Sequence, residues 1–414
     1  MAGFFSKQQT ASPYLSEKGM HSCASCQLYK QVKTPRMQPY GNFKKQIMVI
    51  GESPGREDDE KGGLWHGPMG QLLRRTYKSL GVDVFEDCLS LSAVNCRAIN
   101  KRDKNNRVPT DYEISCCRPK ILTEIKKHKP KVIILHGNSA ISCAIGHRWK
   151  RDQGGGIGKW AGWAIPDREF NAWLCPTFHP SFIEHQQDQD GEVKVWWARD
   201  LAQAFAKVKE PLPTYKNEAD CVEISMDVEG VLDKIRKKGP PLLAFDIEAT
   251  GLKSYNTNIH ETVATSFCYE DDRAYAIPAP STAKQMKRLK LLLEHQSIGK
   301  IAANMKYEDN WMSILHGINI SPWAFDTMQA AHILDNRPGI TSLKFQAYVR
   351  FGVLGYDDEI TPYLKAEDSM STNKIKELVK NKASFEKLLL YNGIDSLLTY
   401  RLAKIQMKEI EEMA

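Results

Sequence analysis

The sequence predicts two α/β domains in tandem, the first organised around a parallel sheet. Three observations lead there. Short apolar runs at 46–50 (QIMVI), 88–94 and 131–136 (KVIILH) alternate with helical periodicity at about 70–80 and 111–127. Strand, helix, strand in that order is how a parallel sheet is written. A break follows at 209–240, with EPLPTYKNEAD near its start and KKGPP at its end, and this punctuation reads as a linker. Strand signals then return at 242–247, 263–269 and 273–277, followed by a helix at 283–294 and mostly helix beyond. The expected division is therefore 1–208, a linker over 209–240, and 241–414.

Length agrees, since 414 residues at roughly 100–200 per domain allow two or three domains. Hydrophobic residues at 42% and charged residues at 26% match an ordinary globular chain. No apolar run approaches the roughly 18 residues a membrane span needs. The opening MAGFFSKQQTASPY lacks the apolar core of a secretion signal. The expected setting is cytoplasmic. There, ten cysteines point to ligands or buried thiols before disulfides. A net charge of +7 suits a polyanionic partner without demonstrating one.

The chemistry of the second half starts at LLAFDIEATGL, where Asp246 and Glu248 stand two apart on a strand. Period-two alternation aims both at one face. Two carboxylates at the edge of an apolar core repel, and they stay ionised only with positive charge between them. A divalent cation answers this, and oxygen ligands suit Mg²⁺ or Mn²⁺. By itself D-x-E is a common product of surface alternation. Three later segments add to it: IAANMKYE at 301–308, FDTMQAAHIL at 325–334, and YNGID at 391–395. In the last, Tyr391 and Asp395 lie four apart, stacked on one helical face.

These motifs, in this order, resemble the proofreading 3′→5′ exonuclease domain of family A DNA polymerases, within the DEDDy group of the DnaQ superfamily. The resemblance covers about 240–408. The first motif falls at Asp246 and Glu248, and the third, Tyr-x-x-x-Asp, at Tyr391 and Asp395. In the second motif Asn304 and Tyr307 match, but the acid position holds Glu308, with Asp309 next to it. "SLK" at 342–344 also looks like the family. The resemblance implies an RNase H-like fold and two-metal hydrolysis of phosphodiesters, with two Mg²⁺ or Mn²⁺ ions per site. Asp246, Glu248 and Asp395 would hold metal, Glu308 or Asp309 would complete the set, Tyr391 would orient the attacking water, and Asn304 would support the site.

The first half carries Cys23-Ala-Ser-Cys26, a C-x₂-C pair, and more distant Cys96 and Cys117. Four thiolates with one tight pair suit Zn²⁺ or a [4Fe–4S] cluster, and spacing does not separate the two. Around them run GESPG at 51–55, GGLWHGPMGQLL at 62–73, VNCRAINKRDKNNRVPTDYEISCCRP at 94–119, KVIILHG at 131–137 and PTFHPS at 176–181. This series resembles the family 4 uracil-DNA glycosylases over about 20–208. It implies a three-layer parallel-sheet fold and a [4Fe–4S] cluster on Cys23, Cys26, Cys96 and Cys117, with Cys116 the neighbouring alternative. It also implies a base pocket built from Glu52, Ser53, Trp65, Ser92 and His179. Two positions depart from the family: Trp65 stands for a phenylalanine that stacks on uracil, and Ser92 for the asparagine that reads it. A serine cannot make the asparagine's two-pronged contact. Cys88, Cys143, Cys175, Cys221 and Cys268 read as buried thiols. The basic run 101–107 is a candidate for phosphate contact.

A glycosylase-like domain ahead of such an exonuclease resembles the N-terminal part of certain phage DNA polymerases. No polymerase motif fits within the 414 residues. The expected function is a 3′→5′ DNA exonuclease, the proofreading subunit or split half of a phage polymerase, acting on a single strand or primer 3′ end in the host cytoplasm with a separate polymerase chain. The alternatives are a uracil-DNA glycosylase with an accessory nuclease, and a non-catalytic polymerase accessory module.

Overall fold

The computed structural model describes residues 22–100, 102–149, 156–185, 191–368 and 370–413. These residues form two units, one of 22–213 with 348–354, the other of 214–347 with 355–413.

In the first unit, β1 (Ile47–Gly51), β2 (Cys88–Ser92), β3 (Val132–His136), β4 (Ile165–Asp167) and β5 (Ala172–Thr177) form one sheet in the order β2-β1-β3-β5-β4. All neighbours are parallel except β4 with β5. Every residue of these strands is buried. That is why the strands read as near-continuous apolar runs, as expected for a parallel sheet covered on both faces. The helix predicted at 70–80 spans Pro68–Ser79, and the one predicted at 111–127 spans Asp111–His128. The second starts at a capping box, Thr110 with Glu113, which also satisfies its first free amides. Parallel alignment brings the carboxyl ends of β1, β2, β3 and β5 to one edge, the usual place for a ligand site in such a sheet. There Gly51 pairs with Ser92, and His136 with Thr177.

The second unit carries β6 (Val222–Ile224), β7 (Leu242–Ala249), β8 (Thr262–Glu270), β9 (Arg273–Pro278), β10 (Gly299–Ala302) and β11 (Trp323–Asp326), ordered β11-β10-β7-β8-β9-β6. β7, β8 and β9 are an antiparallel meander, and the outer strands join in parallel. Alternation along β7 sorts its side chains. Leu243, Phe245, Ile247 and Ala249 enter a core with the helices Val228–Lys238 and Ala283–Leu293. Ala244 packs on the other face with Leu397 and Ala403 of the long helix Lys382–Met413. Asp246 and Glu248 share the face of Ala244 and so meet that helix.

The stretch 209–240 is more than a linker. Val222–Ile224 is the edge strand beside β9. The helix Val228–Lys238 puts Val228, Val231, Leu232 and Ile235 into the core, spaced three, one and three residues apart as a helical face requires. KKGPP marks the end of this helix, where Gly239 takes the left-handed conformation of a C-terminal cap. No helix among the described residues is long and apolar enough to cross a membrane.

Candidate functional site

Asp246 and Glu248 of β7 and Asp395 of the helix Lys382–Met413 each place an oxygen within 4.8 Å of the others. The helix can come so close to the sheet because of Gly393. A Cβ there would stand 2.4 Å from Val222 Cγ1 and 3.2 Å from the Ala276 Cβ. The approach is tied by the Ser266 hydroxyl, which donates to the Asn392 carbonyl at 2.8 Å. Asn392 Nδ2 donates to Asp246 Oδ2 at 2.6 Å. Asp395 Oδ1 accepts from the Tyr356 hydroxyl at 2.5 Å and is ion-paired with Lys344.

The electrostatics of this cluster are those of a cation site. Burial, then the charge of Asp395, pushes the Asp246 carboxyl well above the usual carboxylate range, against the pull of Lys344 and Asn392. Burial and the charges of Asp246 and Asp395 do the same to Glu248. Glu308 sits on the helix Met305–His316, only 2% exposed. Burial and the nearby Asp246 raise it too, and its buried Oε2 has no hydrogen-bond partner among the described residues. Crowded, mutually repelling carboxylates with an unsatisfied buried oxygen are the donor set a hard divalent cation fits.

The two acids left open by the sequence part company here. Glu308 is buried in the field of Asp246, though outside the close group of Asp246, Glu248 and Asp395, whereas Asp309 Oδ1 accepts from the Trp323 indole at 3.2 Å. Asn304 has φ +81, a left-handed turn that asparagine tolerates. It starts the helix that carries Glu308, and its amide donates to Asp326 Oδ1 at 3.0 Å. Its side chain caps nothing. Tyr391 is buried, 6.1 Å from Tyr356 between stacked ring centres, and burial with the charges of Asp395 and Glu248 holds its hydroxyl protonated. Glu308→Gln is expected to cut nuclease rate by about 10²-fold or more, and Asp309→Asn by less than about threefold. Single-turnover cleavage of a labelled strand measures both, and equal losses would reject this choice of acid.

Raised carboxyl pKa values carry a stability consequence. Such a group holds its proton more tightly folded than unfolded, so its stabilising contribution is present at low pH. It is lost as pH rises from the ordinary value, about 4, through the raised one. In EDTA the second unit is expected to lose stability as pH rises above about 4, and Mg²⁺ or Mn²⁺ should restore it. Thermal melts at rising pH check this, and a flat profile in EDTA would refute it.

Three residues at this site are given no role by the sequence: Lys344 and Asn392, though they fall within SLK and YNGID, and Tyr356. "SLK" is noticeable only as a likeness, and Tyr356 lies in a loop.

In the first unit the strand ends hold the other predicted set. Glu52 accepts from Ser139, and burial raises its carboxyl. Glu52 and His179 meet across Gly137, where a Cβ would stand 2.9 Å from Glu52 Oε1 and 3.1 Å from His179 Cβ. Burial and His136 hold His179 neutral, near about 3. Its Nδ1 accepts the Ser181 amide at 3.2 Å, which leaves the proton on Nε2. Ser53 is half-buried beside Glu52, and Ser92 is buried opposite Gly51. Trp65, 7% exposed, belongs to the hydrophobic core. Its indole lies so close to Gly51 that a Cβ there would stand 2.8 Å from the ring, and its ring centre is 6.5 Å from that of His179. Trp65 is thus a buried wall at this end of the sheet.

Cys96 and Cys117 lie within the electrostatic reach of Cys23 and Cys26. Cys23 and Cys26 add their charge to burial in raising Cys96, and all three act with burial on Cys117, pushed up to about 12. Arg36 N–H donates to Cys96 Sγ at 3.3 Å, and the Asn95 amide to Cys117. Cys116 is in the field of Cys26 and bonded to Ser115 and Tyr112. Cys88, Cys143, Cys175, Cys221 and Cys268 are buried. In the basic run, Lys101 lies outside the described residues, and Arg107 is locked in a two-pronged pair with Glu113; its guanidinium serves the capping box.

A strand D-x-E and an aspartate one turn after a tyrosine on the facing helix form a carboxylate group that could hold a metal ion, in a domain of the exonuclease class. The family model described as 3′-5′ exonuclease matches residues 220–411, and that described as uracil DNA glycosylase superfamily matches 38–202. The type-4 uracil-DNA glycosylase of Saccharolobus solfataricus is 31% identical over 195 residues, 47% of this chain and 83% of that protein. The enzyme of Pyrobaculum aerophilum is 31% identical over 192 residues, 44% and 88%. The DNA polymerase of Bacillus phage SP01 is 23% identical over 415 residues, 92% of this chain but 42% of that polymerase. Escherichia coli RNase D superposes at a TM-score of 0.34 with 16% identity, covering 46% of this chain and 45% of its own. The chain belongs to the type-4 uracil-DNA glycosylase family through its first half and carries a 3′-5′ exonuclease domain in its second.

Proposed function

We propose that the chain is the proofreading exonuclease of a phage family A DNA polymerase, removing nucleotides from a DNA 3′ end in the host cytoplasm. The polymerase itself would be a separate chain. The observation that carries this is the cluster of Asp246, Glu248 and Asp395 in a chain that aligns over 92% of its length with a phage DNA polymerase. Asp246, Glu248 and Asp395 would hold the divalent cations, with Glu308 completing the set. Bound there, Mg²⁺ or Mn²⁺ would stabilise the charge on the attacking and leaving oxygens. Tyr391, protonated and packed against Tyr356, would orient the attacking water by hydrogen bond. Asn392 keeps Asp246 in place, and Asn304 sets the start of the helix that carries Glu308.

The first unit is proposed as a glycosylase-like DNA-binding module on a [4Fe–4S] staple held by Cys23, Cys26, Cys96 and Cys117. Amide donation to two of these sulfurs supports that reading, because hydrogen bonds to sulfur tune and steady such clusters. Cys117 lies in the field of the other three thiols, which favours it over Cys116. Glu52, Ser53, Ser92 and His179 line the strand ends where a base would sit. Trp65 in the core and a single hydroxyl at Ser92 favour binding over base reading. The two proposed domains would meet near 213/214, where the compact units divide.

The test is digestion of a 5′-labelled single strand and of a mismatched primer–template with Mg²⁺ or Mn²⁺. A descending ladder is expected. Strands of both substrates that stay at full length would overturn the nuclease reading.

A further inference from the structure

Beside the acids stands a cation that the two-metal reading does not use. The Lys344 side chain, on the helix Leu343–Phe351, is 14% exposed. Its ammonium is bonded to Asp395 Oδ1 and donates to the Tyr356 hydroxyl at 2.7 Å. It also lies 4.3 Å from the Tyr356 ring centre and 4.4 Å from that of Tyr391. The Tyr356 hydroxyl donates in turn to the same Asp395 oxygen. One ammonium thus touches a metal-site acid, the tyrosine a turn before it, and a second tyrosine that bonds the acid. Its charge reaches Asp246 and Glu248 as well and opposes their repulsion. An ammonium this enclosed is costly unless its charge is matched, and the acids match it. A bound divalent cation would face the same carboxylate, and two positive charges on one carboxylate repel.

Resting on the nuclease reading above, we infer that Lys344 is a positioning residue that stands in for the metal in the metal-free site. It holds Asp395 and Tyr391 in place, and it gives up Asp395 as metal binds.

The test uses the full chain, with two readouts that need no DNA. One is the melting transition that Mn²⁺ shifts, followed in EDTA and in saturating Mn²⁺. The other is Mn²⁺ affinity from the resonance signal of the free ion. Lys344→Met should lower that transition in EDTA, lose most of the difference in Mn²⁺, and bind Mn²⁺ on the order of tenfold more tightly. Lys344→Arg should stay close to wild type in EDTA. A Lys344→Met loss that is the same with and without Mn²⁺, at unchanged affinity, would mean a packing role and overturn the inference. If Lys344→Met folds only with Mn²⁺, the inference stands. If it folds in neither condition, Lys344→Met/Asp395→Asn decides. Removing both charges should restore a folded, wild-type-like melt in EDTA, and failure to do so overturns the inference. Wild-type protein that binds no Mn²⁺ would remove the two-metal reading and this inference together. Wild-type binding that Lys344→Met leaves unaltered would remove this inference alone.

Discussion

Asp246→Ala/Glu248→Ala is expected to abolish the ladder from a 5′-labelled strand, a loss on the order of 10⁴-fold, or about 5.5 kcal/mol of transition-state stabilisation. The size follows from the role. Two of the three clustered acids vanish, and with them the seat for charge on both the attacking and leaving oxygens. The same change should stabilise the metal-free protein. Both carboxyls are pushed well above their usual range, Asp246 by burial and Asp395, Glu248 by burial, Asp246 and Asp395, so deleting them removes a native-state cost once the pH exceeds the ordinary carboxyl value. An inactive variant with a higher melting temperature in EDTA separates lost chemistry from lost fold. Rate and melt are measured on one preparation. A variant that keeps more than about a tenth of wild-type rate would remove these acids from the reaction.

Cys96→Ser is expected to strip iron from the first unit and unfold it while the exonuclease keeps its rate within about threefold. Cys96 is buried, bonded by the Arg36 amide, and in the field of Cys23 and Cys26, so as a ligand of the proposed cluster it would tie the C-x₂-C loop to the segment after β2. Structural metal sites supply about 10 kcal/mol or more of folding free energy, comparable to the whole stability of a domain, about 5–15 kcal/mol. Iron analysis and the brown charge-transfer absorbance of anaerobic protein report the cluster, circular dichroism reports the fold, and the ladder reports the second unit. Stoichiometric zinc without iron in the wild type would reject the cluster. Equal loss of both units would argue that they do not fold independently.

Some of this molecule is legible along the chain because the signal is local. Alternation in LLAFDIEA places Asp246 and Glu248 together on one face, and the structure sets both under the long helix. The four-residue step from Tyr391 to Asp395 places them on one side of that helix in the same way. The parallel strands of the first unit read as apolar runs because both their faces are buried. The region 209–240 is a mixed case. Its helix has a regular apolar face at 228, 231, 232 and 235, but the Gly-Pro-Pro that ends it draws the eye as a break.

Other features depend on distance through space. Glu308 and Asp309 are adjacent, about 100° apart around a helix, and the choice between them rests on where Trp323 and Asp246 lie. Lys344 and Tyr356 precede Asp395 by 51 and 39 residues, with no periodicity to connect them. Trp65 reads as a stacking platform until its close approach to Gly51 places it in the core. Short-range period and motif order made the fold classes legible and marked Asp246, Glu248 and Asp395 as candidates, and the structure groups those three carboxylates. The different surroundings of Glu308 and Asp309, the lysine and tyrosine beside Asp395, and the burial of Trp65 come from the tertiary structure. Coulomb energy and packing act between groups that are near in space, whatever separates them along the chain.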